Sequence, residues 1–263
     1  MEKTRRMSKI FAEDGKSITL ALDGCYFSTK TAGIDDAIAQ LPKMIENGLD
    51  AVIVTYGMAK TYESSLTQVG MLVRADISTR VFDPNVPGTT RLISIEDALK
   101  LGADGVIAMT FPGASSEASS HEAAWELARE ADKWQMPFMC ETLPYGYAIT
   151  NEASGHPDVI AAGARIGTEL GADIIKTRFS GESGDAKIIS SAQRPVLALG
   201  GPKADHILDY FKFVKHCMDV GAKGVAVGRN ITQSDNPAGV VAGLNVMIHQ
   251  NGTVEEAYEA YHA

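Results

Sequence analysis

A lysine closes an apolar run of strand length, Asp173-Ile174-Ile175-Lys176-Thr177-Arg178, and two glycine-containing segments follow it, Leu199-Gly200-Gly201-Pro202-Lys203 and Val227-Gly228-Arg229-Asn230. A neutral amine at a strand end attacks a carbonyl, and the iminium that results withdraws electrons from the neighbouring carbon–carbon bond. The period-two alternation of a strand places Ile174, Lys176 and Arg178 on one face. If that face looks into an apolar interior, burial beside a second cation favours the neutral amine. Gly200, Gly201 and Gly228 expose backbone N–H groups, and Arg229 adds a forked donor, which suits a phosphate dianion. Together these residues fit imine chemistry on a small phosphorylated carbonyl compound. Each part also has a plainer reading, a lysine reaching to water or glycines that only permit tight turns.

Such chemistry needs proton carriers. Asp23 closes the first apolar run and can orient the amine or take a hydroxyl proton, or else cap its own Gly24 turn. Glu141 lies in an otherwise apolar stretch, where a buried acid requires a reason. Tyr145, in Leu143-Pro144-Tyr145-Gly146-Tyr147, is a further acid or a loop-packing side chain. Arg74 and Arg178 add positive charge and are expected to bind a second anionic group, such as a carboxylate, sulfonate or phosphate; surface pairing is their alternative role. No metal is called for: the six histidines are scattered, without a His-x-His or His-Glu-x-x-His pattern. No cofactor is expected. Cys25 has no identifiable His partner and reads as a structural thiol.

Positioning these residues falls to an alternation of strand-length and helix-length segments. Strands are expected at 18–23, 51–55, 71–74, 105–110, 138–142, 173–177, 196–199 and 224–227. Helices are expected at 34–47, 59–69, 94–101, 117–134, 158–170, 185–191, 204–220 and 237–249, with 254–261 closing the chain. Gly48, Gly102, Gly171 and Gly221 stand just past helical runs, where a left-handed cap is wanted. Gly-Ala-Asp or Gly-Ala-Lys then recurs at 102–104, 171–173 and 221–223 as one helix-to-strand joint. Uncharged strands alternating with helices imply a parallel sheet covered on both faces, and eight units imply closure. The fold class is therefore α/β, a single (β/α)8 TIM barrel over residues 1–263; an open doubly wound sheet is the alternative, disfavoured by the lack of a Gly-x-Gly-x-x-Gly after the first strand. Active sites of such barrels lie at the C-terminal strand ends, with phosphate commonly held after strands seven and eight. The segment 83–91 reads as a loop near that mouth.

The composition is that of an ordinary soluble protein, 263 residues with 45% hydrophobic and 22% charged. A net charge of −9 argues against a broad nucleic-acid surface, and no apolar run has the length of a membrane span. The N-terminus lacks a signal-peptide apolar stretch, and three widely separated cysteines indicate neither a disulfide framework nor a zinc ribbon. A reducing cytoplasm fits best.

At the quoted residues the chain resembles the archaeal-type class I fructose-bisphosphate aldolases and their bacterial relatives, a group that includes the autoinducer-2 phosphate thiolase. The resemblance runs from Ala21-Leu22-Asp23-Gly24 to Gly228-Arg229-Asn230, most specifically through Ala172-Asp173-Ile174-Ile175-Lys176-Thr177, Gly200-Gly201-Pro202-Lys203 and Gly224-Val225-Ala226-Val227-Gly228-Arg229-Asn230. It implies that Lys176 forms the Schiff base, that Asp23 is the first-strand aspartate of the site, and that Gly200, Gly201, Gly228 and Arg229 hold phosphate. It also implies a homo-oligomer, often a decamer in that family. The chain departs from the pattern in two places: Gly24-Cys25 follows Asp23 where the family has His-Gly, and Glu141-Thr142-Leu143-Pro144-Tyr145-Gly146 stands where it reads Trp-x-Tyr-Pro-Arg-Gly. Leu143 thus replaces the family's tyrosine acid, which speaks against fructose 1,6-bisphosphate as the substrate and leaves Glu141 or Tyr145 for proton transfer. The expected activity is class I aldol cleavage or formation in a phosphorylated ketose. Coenzyme A-dependent acyl transfer on a phosphorylated diketone and noncatalytic sugar-phosphate binding are the alternatives.

Overall fold

Runs such as Ala51-Val52-Ile53-Val54 and Gly224-Val225-Ala226-Val227 are uncharged on both faces, so they are stable only where both faces are covered. The computed structural model describes residues 3–29, 32–83, 87–147 and 152–263. It covers those faces by closing eight parallel strands into a barrel: β1 (Ser17–Ala21), β2 (Ala51–Val54), β3 (Gly70–Arg74), β4 (Gly105–Thr110), β5 (Phe138–Thr142), β6 (Ile174–Thr177), β7 (Val196–Leu199) and β8 (Gly224–Val227). The strands neighbour one another in chain order, and β8 pairs back on β1 with Ser17 opposite Gly224. Between and after the strands run α2 (Ile34–Ala39), α3 (Leu41–Glu46), α4 (Tyr56–Thr61), α5 (Ile95–Lys100), α6 (Glu117–Lys133), α7 (Pro157–Glu169), α8 (Ala186–Ala192), α9 (Ile207–Asp219), α10 (Arg229–Thr232), α11 (Pro237–Ile248) and α12 (Val254–His262), preceded by α1 (Thr4–Ile10). All eight expected strands form, and the barrel closes as expected.

Alternation along each strand separates two cores. Val52, Val73, Val106, Ile175 and Val225 point outward to the helices. Ile53, Leu72, Ile107, Met139, Ile174, Leu197 and Ala226 pack inside the barrel. The inner group is completed by Ile10 and Phe11 from the end of α1, an element that the sequence reading did not anticipate. Helix α1 docks on the N-terminal strand ends, where Lys3 Nζ meets Asp173 at 2.7 Å and Arg6 Nη1 donates to the Ala103 carbonyl at 2.7 Å.

Those N-terminal ends are built from the recurring joint. Gly48, Gly102, Gly171 and Gly221 all take positive φ, between 76° and 108°, and end their helices in the left-handed conformation expected. At the first three of these joints an aspartate two residues further on then accepts an amide from the start of the preceding strand. Asp50 takes Ile18 N at 2.7 Å, Asp104 takes Met71 N at 3.0 Å, and Asp173 takes Phe138 N at 2.8 Å.

Three local expectations need correction. The single helix expected at 34–47 divides at Gln40 into α2 and α3, because Pro42 has no N–H for the carbonyl one turn back. The helix expected at 59–69 begins earlier, where the Thr55 hydroxyl caps Met58 N at 3.2 Å, and ends in a 3₁₀ turn at Glu63–Leu66. Of the loop expected at 83–91, residues 84–86 lie outside the described residues, and Thr89–Arg91 forms a strand paired antiparallel with Asp76–Ser78 in a two-stranded ribbon that follows β3. Among the described residues no helix is long and apolar enough to cross a membrane.

Candidate active site

Parallel pairing of β5 with β6 sets Glu141 opposite Lys176. Both side chains are nearly fully buried, and Lys176 Nζ lies 2.9 Å from Glu141 Oε1. From β3 the fully buried Arg74 reaches the same carboxylate: its Nη2 donates to Glu141 Oε2. Arg74 Nη2 also lies 2.6 Å from Asp23 Oδ2, its Nε donates to that oxygen at 2.8 Å, and Nη1 donates to Asp76 Oδ1 at 3.3 Å. Phe27 covers the guanidinium, with its ring centroid 4.8 Å from Cζ. Arg74 is thus a hub that joins three carboxylates, one of which holds the lysine.

Asp23 does not close β1, as expected, but opens a 3₁₀ turn, Asp23–Tyr26, two residues beyond it. The turn brings both Asp23 and Phe27 onto Arg74. Asp76 belongs to the ribbon and is fixed by the Thr89 hydroxyl at 2.6 Å and the Met109 amide at 3.0 Å. Three carboxylates therefore face two cations, Arg74 and Lys176, in a space largely closed to water.

The environment divides the acids. Burial works against ionisation of Glu141, but Lys176 and Arg74 outweigh it and hold the carboxyl below its ordinary range. For Asp76 burial prevails over Arg74, the Thr89 hydroxyl and the Met109 amide, so its carboxyl sits above its ordinary range. Burial would lower the guanidinium of Arg74, but Asp23, Glu141 and Asp76 together hold it higher than in water. One carboxylate is thereby kept charged beside the amine, while a second lies closer to holding a proton.

At the ends of β7 and β8 the two glycine loops are tied into one unit by the buried Asn230. Its Nδ2 donates to the carbonyls of Gly200 at 2.8 Å and Pro202 at 3.0 Å, and its Oδ1 accepts from Ala204 N at 2.9 Å. A side chain at Gly200 would stand 2.9 Å from the Val227 Cα, so glycine is required for the loops to approach. The exposed Arg229 donates from Nη2 to the Gly201 carbonyl at 2.8 Å, and Gly228 leads into α10. These loops stand at the same barrel end as Lys176.

Several expected residues lie elsewhere or are already engaged. Arg74 is no mouth cation but a buried one, neutralised by carboxylates. Arg178 is likewise buried and engaged: it donates to the carbonyls of Pro144 at 3.1 Å, Tyr147 at 2.9 Å and Gly146, clamping the segment after β5. The contact of Lys176 is a carboxylate rather than the second cation expected beside it. Tyr145 takes a left-handed φ of 64° and turns its ring onto Gly113. The tyrosine beside the cluster is Tyr147, whose ring packs on Phe111 at 4.9 Å and Phe27 at 5.7 Å and whose hydroxyl donates to the Gly88 carbonyl at 2.8 Å. Burial, reinforced by Asp76, pushes that phenol above its ordinary range.

Tyr147 and Asn230 were thus missing from the expected site, whereas Asp76 qualified by its position at a strand end but had no role assigned. The signals for the two missed residues were slight: the second of two neighbouring tyrosines, and an asparagine just beyond a Gly-Arg pair.

Comparison with known proteins gives the family. The model of the DeoC/LacD family aldolase matches residues 10–234. The class 1 fructose-bisphosphate aldolase of Thermoproteus tenax is 32% identical over 240 residues, 88% of each chain. The 2-amino-3,7-dideoxy-D-threo-hept-6-ulosonate synthase 1 of Archaeoglobus fulgidus is 30% identical over 260 residues, 98% of this chain and 95% of that one. A solved archaeal fructose-1,6-bisphosphate aldolase, with its catalytic Lys covalently bound to the carbinolamine intermediate of its substrate, aligns with a TM-score of 0.84 at 28% identity, over 94% of this chain and 100% of that one. This chain belongs to the DeoC/LacD family of aldolases, lyases of the metal-independent Schiff-base class.

Proposed function

We propose that Lys176 is the imine-forming residue of a class I aldolase that makes or breaks a carbon–carbon bond in a phosphorylated ketose or a related sugar phosphate. The observation that carries this reading is the buried Lys176–Glu141 pair at 2.9 Å inside the C-terminal end of the barrel. Glu141 takes a proton from Nζ, and the freed amine adds to the ketone carbon. Glu141 then returns that proton to the carbinolamine hydroxyl, which leaves as water, so the carboxylate is restored and the nitrogen carries the iminium charge. A base then removes the proton of the hydroxyl beyond the scissile bond. The bond's electrons neutralise the iminium as an enamine and the aldehyde departs. Asp23, held by the same guanidinium as Glu141, suits that base, and the proton it gains is the one it returns to the enamine carbon, which restores its carboxylate. Arg74 positions Asp23 and Glu141 and is itself held by Asp76. Gly201, Gly228 and Arg229 hold the phosphate, with Asn230 fixing the loops; Gly200, expected among them, spends its N–H on the Ala226 carbonyl at 3.1 Å and serves instead to let the loops approach.

The same reading places the enzyme in the cytoplasm, in keeping with three free cysteines, and as a homo-oligomer, for which exposed Trp125 and Leu92 offer apolar surface. Its test is reduction with borohydride in the presence of dihydroxyacetone phosphate, followed by peptide mass analysis. The adduct is expected on Lys176 and absent from Lys176→Met; a chain that releases aldehyde yet traps nothing at Lys176 would sink the reading.

A further inference from the structure

Resting on the aldolase reading, the arrangement around Lys176 narrows the substrate class. The two interior arginines at this end of the barrel are already engaged: Arg74 by Asp23, Asp76 and Glu141, and Arg178 by three backbone carbonyls. Both are under a tenth exposed. Strand alternation supplies the rest of the surroundings. Met109 is two residues past the inward Ile107, Leu143 two past Glu141, and Leu199 two past the inward Leu197, so all three share the facing of the catalytic pair. With Phe27, Phe111 and Tyr147 they form one contiguous apolar group. On the glycine loops after β7 and β8, by contrast, Arg229 is exposed and gives one N–H of its five-donor fork to the Gly201 carbonyl, which leaves donors for a dianion.

We infer that the substrate carries its only phosphate at the glycine-loop end, and that the fragment on the other side of the scissile bond is a small uncharged aldehyde. A phosphate on that fragment would lose its hydration against aliphatic and aromatic side chains. It would also meet three carboxylates whose cations, among the described residues, are already paired. An uncharged aldehyde gains from the same wall by burying its own carbon surface. Discrimination against an unpartnered polar group exceeds what one methylene can supply, so a selectivity of about tenfold or more is expected.

The test runs the reaction in the synthetic direction, with dihydroxyacetone phosphate as donor and either glyceraldehyde or glyceraldehyde 3-phosphate as acceptor, a pair that differs only in the phosphate. The expected kcat/KM is about tenfold or more higher for glyceraldehyde. Equal or better use of the phosphorylated aldehyde overturns the inference while leaving the aldolase reading intact, provided borohydride still traps the donor on Lys176. If no donor is trapped, the aldolase reading fails and the inference falls with it. Arg178→Met supplies a second measurement: the ratio of the two acceptors is expected to stay unchanged, whatever the variant does to overall activity. A selective loss of the phosphorylated acceptor would show Arg178 holding that group, which also overturns the inference.

Discussion

At the residue scale the decisive arrangement is a guanidinium shared by three acids. A buried cation and its buried partners stabilise one another only as a complete set, because removal of one member strands the others without water. Arg74→Met would leave Asp23, Asp76 and Glu141 facing Lys176 alone. It is expected to lower unfolding stability by about 3–5 kcal/mol in a urea titration, with Arg74→Lys recovering part of that loss. Lysine presents a point charge rather than a fork, so it cannot hold three carboxylates at once. Arg74→Lys should therefore fold yet lose about a hundredfold in kcat, the scale of a catalytic group misplaced by an ångström. Near-normal stability of Arg74→Met would mean that the hub does not hold the acids as described. The same scale explains the exchange of tyrosines: the left-handed turn at Tyr145 breaks the alternation of β5, so Tyr147 packs beside the cluster and Tyr145 on Gly113.

At the element scale, function depends on loops that single side chains hold in register. Asn230 on α10 makes three hydrogen bonds to the chain between Gly200 and Ala204, all within 3.0 Å. Asn230→Ala leaves two carbonyls and an amide without that partner, a cost of about 1–3 kcal/mol. The loop after β7, proposed to hold phosphate, is then free to shift. The expected outcome is a KM for the phosphorylated substrate raised about tenfold, the equivalent of about 1.4 kcal/mol, with borohydride trapping at saturating substrate preserved. A lower kcat with unchanged KM would count against a phosphate-holding role for these loops. At the opposite end, α1 closes the barrel floor with Ile10 and Phe11, remote from this chemistry.

For the whole molecule, charge couples stability to pH through His249. Its Nδ1 lies 3.0 Å from Asp14 and its Nε2 3.1 Å from Asp50, so the ring joins the segment before β1 to the start of β2 from the end of α11. Burial favours the neutral imidazole, but the two carboxylates outweigh it and raise its pKa above the ordinary value. A raised folded-state pKa means that this contribution is complete below the unfolded value near about 6.5 and is lost as pH rises through the folded value. His249→Asn should thus cost about 1 kcal/mol in unfolding free energy at pH 6, and the difference from the native chain should shrink by pH 9. An equal deficit at both pH values would show that the imidazolium charge contributes nothing.

Much of this architecture was written locally. Uncharged strands, amphipathic helices and the glycine caps at 48, 102, 171 and 221 each follow from backbone geometry over a few residues, so eight strands and their closure were legible. The lysine at the end of its strand and the glycine loops were legible for the same reason. The partners of that lysine were not. Glu141 and Lys176 are neighbours because of a strand register, and Arg74 reaches Asp23 across 51 positions of sequence. Whether an arginine meets a substrate or a carboxylate depends on which groups closure brings within about 3 Å of it, the reach of a hydrogen bond. The sequence alone determined the barrel and the lysine at the end of its sixth strand. Only tertiary packing decided that Arg74 and Arg178 hold the protein together, because contacts between distant strands leave no local trace in the chain.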